Sequence, residues 1–420
     1  MKKINVFLFA AHHASGNVAA QRFKGLLKYL DGSKYRVYVF ARGEVAERAA
    51  TDSQDIHVIA LPGHCVGSES TPTASAFTLL SAFVRPLPFL FAGGAASASR
   101  PWLVNALGEA ERLCRRHMAE GERCVVIGTY SPIDALIAAA SLATRHRLPC
   151  LQDFRDGLVF EPLGHPGRAR EFLRTLIEAR VVAAATLVTS VSRALVDDFA
   201  QRYPGKRTGL LPNGYDPADF VTSAADDSEQ AAAILSQQVP EGALLIGHFG
   251  RIGASDGSAS KSLDAFIEQM NALDDKTGPK HVLFVGELTP GELASIRKAR
   301  FGVSVIKPVR RALALQLMKR CDKLLLLTGN RVCCATGKLF EYLAAGAQVV
   351  CVSGVENEAS AILAETGSGH TLLAEGVAAE ALGRALSSTP TADARRDIAA
   401  YSKTHQAGVL DRWLTDMVTA

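Results

Sequence analysis

No Cys-x-x-Cys pair occurs in this chain, although it contains eight cysteines. That removes the ligand spacing of zinc ribbons and the dithiol spacing of redox proteins. Cys65, Cys114, Cys124, Cys150, Cys321, Cys333, Cys334 and Cys351 mostly lie inside apolar segments, which fits reduced, buried thiols in a cytosol. No long Lys/Arg run interleaved with aromatics is present, and the net charge of +4 is spread thinly, so nucleic acid is not an expected partner. No apolar run long enough for a membrane span is uninterrupted. Phe77 to Ala92 carries Arg85, Pro86 and Pro88 at its centre, where charge and broken hydrogen bonds are costly in lipid. Lys2 and Lys3 before Ile4 to Ala11 imitate a signal peptide, but His12-His13 interrupts the run before a cleavage site, and it reads as a first buried strand. No period of roughly 20 to 50 residues repeats, so a solenoid is not expected.

What remains is a chain of 420 residues, 48% apolar and 21% charged, the balance of a globular protein. One core rarely organises that length, so two domains of roughly 200 residues are expected. Short Val/Ile/Leu-rich runs alternate with helix-like segments, the pattern of βαβ units. Strands are expected at Ile4–Ala10, Tyr35–Ala41, Ile56–Leu61, Cys124–Thr129, Pro149–Phe154 and Thr186–Ser190. The pattern restarts at Ala243–Gly250, His281–Gly286, Val303–Ile306, Lys323–Thr328 and Ala347–Val352. The fold class is therefore α/β, with two Rossmann-like doubly wound parallel sheets and a ligand crevice between them. The first domain is set at residues 1–205 and the second at 206–390, with helices over 391–420 packing back toward the first. The polar, small-residue stretch Val221–Gln238, after the turn-rich Pro212–Pro217, is read as the hinge.

The densest chemical signal is Thr336-Gly337-Lys338-Leu339-Phe340-Glu341-Tyr342-Leu343-Ala344-Ala345-Gly346. It reads as a loop, a helix and a glycine stop. Gly337 allows a ligand close to the backbone, and the free amides of the helix start favour phosphate. Lys338 adds a full charge, and Glu341, three residues on, shares its face. The pair can address one ligand, ammonium on diphosphate and carboxylate on ribose hydroxyls. As a bare pair at this spacing it equally describes an ordinary amphipathic helix surface.

Gly337 to Gly346 closely resembles a segment of the bacterial branch of family 4 glycosyltransferases of the GT-B fold. Gly128–Pro132, Asp153-Phe154-Arg155-Asp156, Pro212–Asp216 and His248-Phe249-Gly250-Arg251 follow in the family's order. The resemblance implies a metal-independent, retaining glycosyltransferase with no bound cofactor. It would move a sugar from a nucleotide-diphosphate donor, held by the second domain, to a glycan or lipid-linked acceptor on the first. The setting implied is cell-surface polysaccharide or glycolipid assembly, in the cytoplasm at the inner face of the membrane. Gly250, Arg251, Lys338 and a second basic residue, placed at Lys261, would face the diphosphate, where fixed cations stabilise the departing phosphate. Many members carry two glutamates eight positions apart, the second at Glu341; the first falls here on Cys333. The alternatives are a non-catalytic nucleotide-binding subunit of a glycan-assembly complex and a nucleotide-sugar epimerase.

In the first half, Ala10 to Asn17 joins a strand to a helix. There Gly16 permits close substrate approach, and His12 and His13 are candidates for acid–base work or for structural roles. Asp153, Arg155 and Asp156 follow another strand; they either form an Asp–Arg bridge that fixes the loop or place Asp156 on an acceptor hydroxyl. Gly164–Ala185, with Arg168, Arg170, Arg174 and Arg180, reads as a basic amphipathic segment suited to anionic lipid or as an ordinary surface helix.

Overall fold

The computed structural model describes residues 2–15, 18–43, 47–51, 55–63, 100–162, 168–221, 225–252, 257–273, 278–376, 378–388 and 398–419. The chain divides into two compact units, Met1–Pro212 with Gln406–Ala420, and Asn213–His405.

The first unit is built on an eight-stranded sheet in the order β3-β4-β2-β1-β5-β6-β7-β8. Its strands are β1 (Ile4–Phe9), β2 (Tyr35–Gly43), β3 (Glu47–Thr51), β4 (Ile56–Pro62), β5 (Arg123–Tyr130), β6 (Cys150–Phe154), β7 (Leu187–Ser190) and β8 (Thr208–Leu210). Every pairing is parallel except β3 with β4, an antiparallel edge ribbon. Helices α1 (Val18–Leu27), α2 (Arg100–Ala119), α3 (Ile133–His146), α4 (Arg168–Ala184) and α5 (Arg193–Arg202) accompany them. All six residues of β1 are buried because both faces are covered. Val6 and Leu8 pack with Phe23 and Leu26 of α1, whereas Phe7 and Phe9 pack with Trp102 and Ala106 of α2, the two-residue alternation of a strand.

The second unit repeats the plan with six parallel strands in the order β11-β10-β9-β12-β13-β14. They are β9 (Leu244–Phe249), β10 (Lys280–Val285), β11 (Gly302–Ile306), β12 (Lys323–Thr328), β13 (Gln348–Ser353) and β14 (Gly369–Leu373). Its helices are α6 (Pro217–Val221), α7 (Ala225–Gln238), α8 (Ala259–Ala272), α9 (Pro290–Ile296), α10 (Arg311–Lys319), α11 (Gly337–Ala345), α12 (Glu358–Thr366) and α13 (Ala379–Ser387). Leu245 and Phe249 of β9 pack with Leu339 and Phe340 of α11, and Ile246 with Leu263 and Phe266 of α8.

The stretch Val221–Gln238, expected as a hinge, lies within the second unit, and most of it is α7. Small and polar residues make a helix here because Asp226 and Asp227 sit in its first turn and Ala231 is fully buried. Asp227 is buried as well and meets Arg310 at 2.6 Å. The last helix, α14 (Lys403–Thr419), brings Leu410, Leu414 and Met417 onto the α1 side of the first sheet. Its Asp411 receives Lys34 at 2.6 Å and the Tyr35 hydroxyl at 2.7 Å.

In each sheet the chain reverses direction of growth once, between β1 and β5 and between β9 and β12. Loops leaving the carboxyl ends of such neighbours part and leave a ligand-sized hollow. Both groups of residues described next lie at these positions.

Candidate active site

In the second unit, β9 and β12 are in register at Ile246–Lys323 and Gly247–Leu324. At the next step His248, fully buried, uses its imidazole: Nδ1–H donates to the Leu325 carbonyl at 2.9 Å. Burial, reinforced by the nearby Lys338 charge, holds this imidazole well below its ordinary pKa and keeps it neutral. The Phe249 amide donates to the hydroxyl of buried Tyr342 at 2.8 Å, which pins the end of β9 to α11. Gly250 then turns the chain with φ +82°, a conformation that favours glycine. Gly286, at the end of β10, must also stay bare, since a Cβ there would stand 2.8 Å from the Gly250 oxygen.

This turn meets the start of α11. The Lys338 ammonium donates to the Arg251 carbonyl at 2.7 Å. Burial draws its pKa down to about 8, with Glu341 partly offsetting the effect. An ammonium held with little solvent is primed to gain from an incoming phosphate. The N-cap residue of α11, Thr336, makes no side-chain capping bond, and the space beside the Gly337 α-carbon is open. The helix stops at Gly346 in the left-handed region, φ 89°.

The Arg251 side chain is exposed and pairs with exposed Glu287 at 2.9 Å. Glu341 is bonded by Arg311 of α10, which also holds Asp219 of α6 at 2.9 Å. Burial opposes the Arg311 charge, but Glu341 and Asp219 more than compensate and raise its pKa. Lys261, on the first turn of α8, is exposed, with no side-chain partner among the described residues. Its neighbour Ser262 is buried and donates to the Thr328 carbonyl at 2.7 Å, while Ser258 accepts from the Asn330 amide at 2.9 Å. The loop between β12 and α11 is thereby tied to α8. Cys333 is buried in that loop, and the Arg331 guanidinium donates to its sulfur at 3.3 Å.

In the first unit a hollow opens at the carboxyl ends of β1, β5 and β6, with His12, His13, Arg22, Tyr130, Ser131 and Arg155 among its walls. Behind it lies a saturated ion pair. Arg22 donates to both Asp153 oxygens, at 2.7 and 3.0 Å, and to the carbonyls of Leu211 and Pro212 at 2.7 and 3.0 Å. Thr129 and Thr189 donate to the same carboxylate at 2.8 and 3.0 Å. Asp153 therefore fixes the ends of β5, β6 and β7, and its partner comes from α1 instead of the neighbouring Arg155. Arg155 pairs with Asp156 through Nε at 3.2 Å. His12 is held below its ordinary pKa by burial, then by Arg42 and Arg155. His13 falls to about 4 through burial and the Lys24 charge. Gly16 lies outside the described residues.

Residues 19–214 match the family described as Glycosyl transferase 4-like domain. A search of curated proteins found no match. The whole chain is similar in fold to a sucrose-phosphate synthase from Thermosynechococcus elongatus, at 14% identity and TM-score 0.60 over 99% of this chain and 100% of that one. A glycosyltransferase from Rickettsia africae gives 12% identity and TM-score 0.62 over 99% of both chains. A UDP-forming α,α-trehalose-phosphate synthase from Burkholderia vietnamiensis gives 13% and 0.61 over 100% of this chain and 99% of that one. The chain has the GT-B fold of these structures, and its residues 19–214 match a glycosyl transferase 4-like domain.

The residues predicted at the donor side gather at one switch point of the second unit: Gly250, Arg251, Gly337, Lys338 and Glu341. Of the residues that hold them there, Tyr342 lies within the segment already singled out, whereas Ser262, Ser258 and Arg311 carry no motif of their own. Only their polar character in otherwise apolar or exposed helix positions hints at the role. Of the four arginines of α4, Arg170 and Arg174 share a face one turn apart, but the others are spread around the helix. Arg168, Arg174 and Arg180 are six residues apart in succession, which rotates each by about 120° from the next. Arg168 and Phe172 are exposed one turn apart, and Ile177, Glu178, Val181 and Val182 are buried. Among the described residues no helix is long and apolar enough to cross a membrane. Three metal-capable groups, His117, Glu120 and Glu122, meet at the amino end of β5, where Glu122 is also bonded by Asn5 and lies 3.6 Å from Arg36.

Proposed function

We propose that the protein is a retaining, metal-independent glycosyltransferase whose second unit binds a nucleotide-diphosphate sugar and whose first unit binds the acceptor. The observation that carries the reading is the Lys338 ammonium at the open start of α11, against the carbonyl that follows the Gly250 turn. A diphosphate there would meet free helix amides, Lys338 and the nearby Arg251. Glu341, steadied by Arg311, would take the ribose hydroxyls. Lys261 is proposed as a further phosphate contact.

In the reaction, the bond from the anomeric carbon to the β-phosphate oxygen breaks while the acceptor oxygen bonds to the same face of that carbon. The acceptor proton passes to the departing phosphate oxygen, so the protein supplies position and positive charge. Asp156 and His12 are assigned to orienting the acceptor hydroxyl. The acceptor is a glycan or lipid-linked sugar of cell-surface polysaccharide or glycolipid assembly, on the cytoplasmic face of the membrane. The membrane part of this reading rests on Arg168 and Phe172 on α4.

The test is a thermal-shift panel of UDP, GDP, ADP, CMP and dTDP, with and without magnesium, on the parent and on Glu341→Ala. Stabilisation by one diphosphate without magnesium, weakened in the variant, is the expected result. No response to any nucleotide would overturn the donor site. Turnover by Lys338→Ala equal to the parent would overturn the role of that lysine.

A further inference from the structure

At the amino end of β5, the opposite end of the strand from the hollow, three sulfur atoms of the first unit meet. Cys114 of α2 and Cys124, the second residue of β5, hydrogen-bond through their side chains, and neither is in a disulfide. Cys114 also donates to the thioether of Met118, one helical turn further on, at 3.6 Å. Cys114 is fully buried, Cys124 is 5% exposed and Met118 is 41% exposed, so the group runs from the core to the surface. Around the thiols the packing is apolar, with Phe7, Leu113 and Val126 in the same cluster. The nearest nitrogen and oxygen ligands are engaged elsewhere. His117 meets the Tyr38 hydroxyl through Nε2 at 2.9 Å and Glu122 through Nδ1 at 2.7 Å, and Asn5 donates to Glu122 at 3.0 Å. Glu111, the anion near Cys114, is itself bound by Arg115 and Arg145.

We propose that Cys114, Cys124 and Met118 form a binding site for a thiophilic metal ion, copper(I). Both thiols release their protons to solvent and bind as thiolates, the thioether adds a neutral third ligand, and the ion keeps its oxidation state. The complex carries one negative charge, with the Arg115 guanidinium as the nearby cation. Ligand type decides the ion. Magnesium and calcium seek oxygen, and zinc in a closed site takes four ligands, whereas the group offers three sulfurs. Copper(I) is a soft ion that two or three sulfurs satisfy. Met118 is the exposed member, so the ion enters there and passes inward by exchange of one sulfur for the next.

The experiment titrates the reduced full chain, without oxygen, with copper(I) buffered by a chromophoric chelator, and separately with zinc. The proteins are the parent, Met118→Leu, Cys114→Ala and Cys124→Ala, with circular dichroism reporting the fold of each. The parent is expected to take up one copper(I) ion per chain, with thiolate-to-copper absorption in the near ultraviolet, and to bind zinc more weakly. Met118→Leu, which conserves volume, weakens copper(I) binding by about tenfold. Either cysteine variant abolishes the uptake and its absorption. Uptake that all three variants keep would assign the ion to other cysteines and overturn the proposal. No uptake by the parent, or zinc bound as tightly as copper(I), would overturn it too. Where an alanine variant does not fold, Met118→Leu decides, and affinity equal to the parent's would sink the site.

Discussion

The ammonium of Lys338 lies 2.7 Å from the carbonyl oxygen of Arg251, 87 residues earlier in the chain. This contact couples the first strand of the second unit to the start of α11, and it makes the charge of the site sensitive to pH. With the lysine drawn down to about 8, the free protein loses the proton above that value. A diphosphate must then restore it on binding, so affinity falls by about tenfold per pH unit above 8. Titration calorimetry with the cognate nucleoside diphosphate from pH 7 to 10 checks this. Lys338→Met binds more weakly and without the slope; a flat parent profile would sink the argument.

Arg311 holds Glu341 and Asp219 together. Arg311→Ala frees the carboxylate to swing, and the expected result is a several-fold rise in donor KM with little change in kcat, because ribose contacts act alike in ground and transition states. Steady-state kinetics decide it. A fall in kcat at unchanged KM would place Arg311 elsewhere in the mechanism.

Removing Arg22 leaves Asp153 buried without its cation. Arg22→Met is expected to destabilise the protein by ~3–5 kcal/mol, the cost of an uncompensated buried charge. Urea denaturation followed by circular dichroism measures it, and a change under about 1 kcal/mol would show that the two threonines suffice.

Two histidines predict acid sensitivity. His248 and His13 are held below the pKa of about 6.5 of the unfolded chain. Below pH 6.5 the unfolded state binds protons that the folded state refuses, so stability is complete above 6.5 and declines as pH falls. For His13 the decline ends near pH 4, its folded value, and amounts to ~3 kcal/mol. Denaturation midpoints at pH 7.5, 6 and 5 report the slope, and His13→Asn is expected to reduce it; an unchanged slope would remove His13 from the account.

Tyr342→Phe deletes one oxygen and leaves the Phe249 amide unsatisfied inside the core. The expected loss is ~1–3 kcal/mol, together with weaker nucleotide binding as the Gly250 turn loosens. Unchanged nucleotide affinity would show that the turn is fixed by the backbone alone.

The central strands were legible because a parallel sheet buried on both faces writes itself as continuous apolar sequence, as in Ile4–Phe9 and Lys323–Thr328. Three strands carried no such signal. Glu47–Thr51 and Thr208–Leu210 are short edge strands, and Gly369–Leu373 is half exposed. Ala225–Gln238 read as a linker since small and polar residues describe both a loop and a thinly covered helix. The helix start at Gly337 and its stop at Gly346 follow from local chemistry and could be placed from sequence. Arg311, Ser262 and Arg22 could not, because their partners lie 30, 66 and 131 residues away. Pairings over such distances are set by topology, which no local pattern encodes.

The first unit is discontinuous, closed by Gln406–Ala420, whereas the second is one unbroken stretch. The core of the first unit is therefore held shut by a distant part of the polypeptide: Leu410, Leu414 and Met417 join Phe23, Leu26 and Val125 only after the chain has traversed the whole second unit. Unfolding the second unit would leave that strap attached through a long flexible loop, whose closure costs entropy that the folded second unit spares the first.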